Sequence, residues 1–149
     1  MPLFGNLSRY YNLANLSRTI GLLIKSDIGI TEALRIAGKS SRNLAYREAL
    51  ERARIGVESG QKVSAQFMRE SSLFPSMYSQ MIVVAEHTGN LSAIFSYLSE
   101  MYEEEVSDLT KNLTTLIEPL LMVVMGVVVG FIAISIISPI YGITQQLQA

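Results

Sequence analysis

The chain is 149 residues long and 49% hydrophobic, with 12 basic residues against 13 acidic ones, one histidine and no cysteine. The missing thiols exclude disulfides and thiolate metal sites, and a lone histidine does not make the usual zinc site. The net charge of −1 gives no electrostatic reason to expect a nucleic-acid partner.

Helical punctuation runs through the chain, and strand alternation is almost absent. Leu13, Leu16, Ile20, Leu23 and Ile24 recur at helical spacing. Asp27-Ile28-Gly29 ends that first helix, with Gly29 suited to a left-handed position just past it. Thr31 is placed to cap the second helix, Glu32 sits in its first turn, and Ala33, Leu34 and Ala37 form its apolar face. Asn43 caps a third helix reaching Ser59, with Tyr46, Leu50, Ala53 and Val57 as its stripe, and Gly60 stops it. A short fourth helix fits residues 63–70. Phe74-Pro75 opens a fifth, because proline at a first helical position forfeits no needed hydrogen bond. Its expected buried side is Met77, Met81, Ile82, Val84 and Ala85. Thr88-Gly89-Asn90 then breaks it, Gly89 taking positive φ and Asn90 capping the sixth helix. That helix carries an apolar stripe from Leu91 through Phe95, Leu98, Tyr102, Val106 and Leu109 to Ile117. Phe74, Met81, Leu98 and Leu109 are expected among the buried anchors of the last two helices.

The stripe leads into a segment of a different kind. From Pro119 to the end there is no charged residue, and residues 120–137 (LLMVVMGVVVGFIAISII) are apolar but for one hydroxyl. At about 1.5 Å rise per residue this run is about 27 Å long, close to the ~30 Å hydrocarbon core of a bilayer. The sequence therefore predicts an all-α protein: a six-helix cytoplasmic bundle over residues 13–118, whose last helix continues into a transmembrane helix over 119–141. A short tail, 142–149, completes the chain. Glu118 and Pro119 mark where the chain enters the membrane, and Pro119 is expected to kink the helix near Thr115. All basic residues precede the span, so the body is placed in the cytoplasm and the C-terminus outside.

Charge is unevenly spread. Residues 1–69 hold 11 basic and 5 acidic side chains, residues 70–118 hold 1 and 8. Two such faces favour oriented docking, although solvated helix surface accounts for most single charges. Glu100, Glu103, Glu104, Glu105 and Asp108 cluster on the sixth helix. The i,i+4 pairs place Glu100, Glu104 and Asp108 on one face, the candidate for a bound cation such as calcium, with pairing to the basic first half as the competing use. Gly38-Lys39-Ser40 ends like a phosphate-binding loop but lacks the earlier glycine and the preceding strand. His87 lies beside Glu86 at a helix end with no nucleophile partner in view. In the span, Gly126 and Gly130 form a GxxxG motif, two small residues one turn apart that let another helix approach closely. The residues yield no catalytic constellation and no cofactor site.

Several stretches converge on one family. Leu22-Leu23-Ile24-Lys25-Ser26-Asp27-Ile28-Gly29-Ile30 with Glu32-Ala33-Leu34 resembles the opening of the type II secretion system F domain. Phe74-Pro75-x-Met77, followed by Met81 through Glu86, His87, Thr88, Gly89, Asn90 and Leu91, resembles its central signature. Tyr102-Glu103-Glu104-Glu105-Val106 and Leu116-Ile117-Glu118-Pro119 resemble its later motifs. Asp27 stands where that family usually has glycine, and Ala85 replaces a glycine before Glu86. The resemblance implies a structural role for the turn built by Phe74, Pro75, Glu86, Gly89, Asn90 and Leu91. It further implies a non-enzymatic inner-membrane platform of type IV pilus or type II secretion machines. Such a platform couples a cytoplasmic ATPase to pilin or pseudopilin subunits, beside other inner-membrane assembly proteins, and the resemblance implies a homo-oligomer in the bilayer. The chain resembles the C-terminal half of a full member, residues 1–12 forming the lead-in after a preceding membrane helix. The alternatives are a membrane-anchored oligomerising scaffold and a metal-dependent regulator using the Glu100, Glu104 and Asp108 face.

Overall fold

The computed structural model describes residues 2–146, with side chains described for 5–141. Met1 of the expected lead-in and residues 147–149 of the expected tail lie outside the described residues. Six helices succeed one another: α1 (Pro2–Lys25), α2 (Ile30–Ser40), α3 (Leu44–Glu58), α4 (Val63–Arg69), α5 (Ser76–Thr88) and α6 (Leu91–Gln146), with no strand among the described residues. The chain divides into two compact units, Met1–Asp108 and Leu109–Ala149.

The first unit is built on one apolar core. Leu13, Leu16 and Ile20 of α1, Ala33, Leu34 and Ala37 of α2, and Tyr46, Leu50 and Ala53 of α3 are buried, as their helical spacing requires. Aromatic rings fill the centre. Phe67 and Phe74 meet edge-to-face with centroids 4.7 Å apart, Tyr46 meets Phe74 at 5.6 Å, and Tyr78 lies 5.3 Å from Phe74 and 6.5 Å from Phe95. Such contacts add to the large area each ring removes from water. Leu98 and Tyr102 complete the core from α6.

Several features differ from expectation. In α5 the buried side is Tyr78, Ser79, Ile82 and Ala85, while Met77 and Val84 are exposed and Met81 is half-buried. The helix is rotated by one residue from the face that hydropathy selects, because a tyrosine ring fills more core than a methionine chain and its hydroxyl is satisfied by Ser17 at 2.9 Å. At the end of α1 the left-handed residue is Asp27 (φ 63), not Gly29, which is extended (φ −61, ψ 151) and precedes α2. Asp27 N–H donates to Ile24 at 3.0 Å and Ile28 N–H to Leu23 at 3.0 Å, the pair of bonds that closes a Schellman turn. Thr31 lies inside α2 and does not cap it, since Gly29 holds the N-cap position without a side-chain hydrogen bond. Pro75 likewise sits at the N-cap of α5, one position before the first helical residue.

The remaining punctuation falls where the sequence puts it. Asn43 Oδ1 accepts from Ala45 N–H at 3.0 Å, and Asn90 Oδ1 from Ala93 N–H at 3.3 Å. Gly60 and Gly89 both adopt positive φ, 87° and 68°. Gly21, by contrast, is glycine for space: a Cβ there would lie 3.2 Å from both Phe95 Cβ and the Ser96 nitrogen, so α1 and α6 cross closely.

In the second unit α6 continues through both Pro119 and Pro139. Every side chain from 114 to 141 is exposed. Leu109 belongs to this unit and is half-buried, so it is not a core anchor of the body. The hydroxyls of Thr114, Thr115 and Ser135 each donate to the carbonyl four residues back, at 3.0, 3.0 and 2.9 Å. Back-bonding of this kind satisfies a polar group without a partner from outside the helix. α6 is the helix among the described residues that is long and apolar enough to cross a membrane.

Candidate functional site

The signature residues lie at the two ends of α5, Phe74 and Pro75 before its start and Glu86, Gly89, Asn90 and Leu91 at its end and the start of α6. Phe74 is 1% exposed and anchors the α4–α5 connection in the aromatic core. The connection is fixed from outside by its own backbone: the Leu73 carbonyl accepts from Arg9 Nε at 3.2 Å and from the Tyr46 hydroxyl at 3.2 Å. Gly89 makes the turn from α5 to α6, Asn90 N–H donating to the Ala85 carbonyl at 3.1 Å, and Leu91 packs half-buried against the core.

Glu86 has the most specific contacts of the group. The N-cap of α4, Lys62, offers no side-chain hydrogen bond, so the first N–H groups of that helix need an acceptor from elsewhere. Glu86 on α5 supplies it. Its Oε1 accepts from Val63 N–H at 2.6 Å, and its Oε2 from Ser64 N–H at 3.3 Å and from the Ser64 hydroxyl. A carboxylate at a helix N-terminus is also favoured by the helix dipole. Glu86 thus fastens α4 to α5 by capping the first turn of α4. His87, next to it, lies in the last turn of α5 and is exposed.

The acidic run is spread over different uses. Glu103 pairs with Arg18 of α1 and accepts from Ser99 at 3.1 Å, so part of the run joins the basic first half of the chain. Arg52 and Glu70, 2.7 Å apart, make a second such link. Glu100, Glu104 and Asp108 are exposed along α6, and among the described residues no three His, Asp or Glu side chains gather as a metal-holding group. Burial raises the hydroxyl pKa of Tyr78, and pushes that of Tyr102 up to about 12. These tyrosines therefore stay neutral and act as packing groups. Gly38 is buried at the end of α2, where an added Cβ would be 3.4 Å from Leu50 Cβ. It lies within a helix and not in a phosphate loop.

In the second unit Gly126 and Gly130 have nothing within 4 Å of an added Cβ, and the ring of side chains around them is exposed. Glu118 and Pro119 lie within the continuous helix.

Sequence reasoning missed several contacts between distant parts of the chain: Ser17 with Tyr78, Glu86 with Val63 and Ser64, and Gly21 against α6. None has a local signature, because each partner is 22 or more residues away.

Comparison with known proteins places this geometry. The family model for type II secretion system (T2SS), protein F, matches residues 16–139, which includes most of each unit. The type IV pilus assembly protein PilC of Thermus thermophilus is 35% identical over 147 residues, covering 99% of this chain and 36% of that protein. PilC of Myxococcus xanthus is 34% identical, covering 99% and 35%. The type II secretion system protein F of Aeromonas hydrophila is 32% identical over 144 residues, covering 94% and 36%. The chain spans about a third of the length of the curated relatives it matches.

Proposed function

The chain belongs to the type II secretion system protein F family, and we propose that it serves as part of the inner-membrane platform of a type IV pilus or type II secretion machine. In this reading it catalyses no reaction itself and needs no cofactor. It couples a cytoplasmic ATPase to the assembly or retraction of pilin or pseudopilin subunits. The observation that carries the reading is the joining of a packed helical body to an apolar span by a single helix, α6, within one family match. A continuous helix transmits displacement along its axis, and a proline within it sets a local angle.

The proposed orientation comes from charge: the body is cytoplasmic and the C-terminus external, because the segment after Pro119 has no charge to hold it back. The native chain has no cysteine, so single cysteines at Ser40 and Gln146 report topology cleanly. An impermeant thiol reagent applied to intact cells should label position 146 and spare 40, and the reverse pattern defeats the orientation.

Gly126 and Gly130 are proposed as the packing face of the span, for a second copy or a subunit helix. Their open Cβ positions support this, since among the described residues nothing lies within 4 Å of a Cβ built there. Replacing both with leucine should abolish pilus or secretion output in cells while protein level is kept. Unchanged output removes this face from the mechanism. A pull-down of the full chain against the secretion ATPase and pilins tests the platform reading itself. ATP hydrolysis by the purified chain alone would make it a motor and overturn that reading.

A further inference from the structure

The apolar residues that hydropathy assigns to the buried side of α5 instead help to make a surface. Met77 and Val84 are each 49% exposed, Tyr97 of α6 is 53% exposed, and Met81, Ile94 and Met101 are half-buried beside them. These six share one seam. Ser92, Ser96 and Glu103 turn the opposite edge of α6 to α1, at Gly21 and Arg18. Glu86 turns the opposite edge of α5 to α4. Tyr78, 6.5 Å from Phe95 and 6.0 Å from Tyr102, joins the two helices on the core side. The outer side of the α5–α6 seam is therefore an apolar ribbon. Glu100 and Glu104 border it, exposed and in no ion pair among the described residues.

A second surface carries the complement. The helices follow one another around the aromatic core, each against the next in chain order and α6 back against α1. The α2–α3 seam thus lies across the core from the α5–α6 seam. At the α2–α3 connection Lys39, Arg42 and Arg47 are exposed, and they too form no ion pair among the described residues. Leu44 and Tyr11 are exposed beside them. Tyr11 and Arg42 wall a cleft of about 310 Å³ that Asn15, Ser40 and Ser41 make polar.

We propose that these surfaces are the two halves of one head-to-tail contact between copies of this chain: the α5–α6 ribbon of one copy covers the α2–α3 edge of the next. Charge decides the occupant. Pairing the ribbon with its own counterpart sets carboxylates against carboxylates, and an anionic bilayer or a nucleic acid is repelled in the same way. The α2–α3 edge instead brings three cations and two exposed apolar groups. Tyr97 supplies the anchor, because its ring offers apolar area and its hydroxyl matches the amide and hydroxyl groups of the cleft. Methionine adapts to the shape it meets, so Met77 and Met81 suit a ribbon that covers Leu44. The two surfaces differ and lie on opposite sides of the body, so the contact does not close at two copies and builds a ring or a chain. It rests on the body alone and depends neither on the platform reading nor on the Gly126 and Gly130 face.

The chain has no cysteine, so the test is crosslinking of the full chain in isolated membranes with a short bismaleimide. Ala93, exposed one turn before Tyr97, and Ser40, exposed at the cleft, take the cysteines. Ala93→Cys in one tagged copy should join Ser40→Cys in a second, while either variant expressed alone gives little product. Both substitutions in one chain should give a ladder that runs past two copies. Glu100→Arg with Glu104→Arg in the first copy should lower the mixed yield about tenfold, and Lys39→Glu with Arg42→Glu in the second should restore it. Absence of the mixed product, or a product of Ala93→Cys alone that matches it, overturns the proposal. So does a ladder that stops at two copies, or a mixed yield that the charge reversal leaves unchanged. A loss that the compensating pair does not restore overturns the pairing of these two surfaces.

Discussion

α6 belongs to two environments, and the contrast between them explains how one helix serves both. Between Leu91 and Tyr102 its apolar residues return at helical spacing, Phe95, Leu98 and Tyr102 are buried, and polar residues such as Glu100 fill the other face. From Leu120 to Tyr141 apolar residues occupy every face and all are exposed. Periodicity marks a helix with a protein partner on one side, and its loss marks a helix whose whole circumference has an apolar solvent. The body thus owes its stability to particular contacts, and the span to composition. The largest expected effect tests this directly. Phe74→Ala removes a ring packed against Tyr46, Phe67 and Tyr78 and should cost about 3–5 kcal/mol of body stability. Phe131→Ala, at a residue 73% exposed, should leave that stability unchanged. Urea unfolding of the full chain in detergent, read by near-ultraviolet circular dichroism of the tyrosines, compares the two. Equal losses would break the distinction between the regions.

The body also responds to alkali in a way the span does not. Tyr78 and Tyr102 have hydroxyl pKa values raised by burial, Tyr102 to about 12, while an unfolded tyrosine titrates near 10. Between these values the unfolded chain gives up protons that the folded chain keeps, so unfolding is favoured as pH rises. The stabilisation is fully present below about pH 10 and is lost towards pH 12. For each such tyrosine the slope is about 1.4 kcal/mol per pH unit. Tyr78→Phe should flatten the fall over this window, while costing about 1 kcal/mol at neutral pH through loss of the Ser17 hydrogen bond. A wild-type chain with a flat stability curve from pH 10 to 12 would show that these hydroxyls ionise without unfolding.

Much of this architecture was legible in the sequence because it is local. Asn43 and Asn90 cap helices through residues two and three positions away, and the span declares itself by lack of charge. The misassigned face of α5 has a clear cause. Hydropathy ranks Met77 and Val84 above Tyr78 and Ser79, but the core is decided by shape and by whether a hydroxyl finds a partner. Ser17, the partner of Tyr78, lies 61 residues away. The signature turn was visible as a set of residues, yet not as a mechanism, since nothing near Glu86 in sequence points to the start of α4.

The Glu86 cap supplies a sharper probe of contact-based stability. Glu86→Ala leaves the leading N–H groups of α4 and the Ser64 hydroxyl without their acceptor, at an expected cost of about 1–3 kcal/mol. Glu86→Gln keeps an oxygen in place and should recover part of it. Hydrogen exchange should locate the loss, with protection falling first at α4. Uniform loss over the body would mean that Glu86 acts through the core and not as a cap.

The smallest effect separates two uses of small residues. In the span Gly126 and Gly130 sit within a helix with open space at Cβ, so any demand for glycine there comes from a neighbour. At the end of α1 the demand comes from the backbone, and the residue that meets it is an aspartate. Asp27 holds φ 63, where a side chain is sterically disfavoured and aspartate is tolerated better than most. Asp27→Gly relieves that strain but gives the unfolded chain more freedom, and the first effect is the larger at a left-handed position. The expected gain is about 0.5 kcal/mol. Gly29→Ala, by contrast, meets extended backbone and no neighbouring atom within 4 Å, so it should change stability by about 0.5 kcal/mol or less in either direction. Paired urea curves for the two variants decide the matter. If Gly29→Ala destabilised more than Asp27→Gly stabilised, the left-handed turn would belong to Gly29, as the sequence pattern suggested. The Schellman bonds from Asp27 and Ile28 to Ile24 and Leu23 would then not be the ones that close α1.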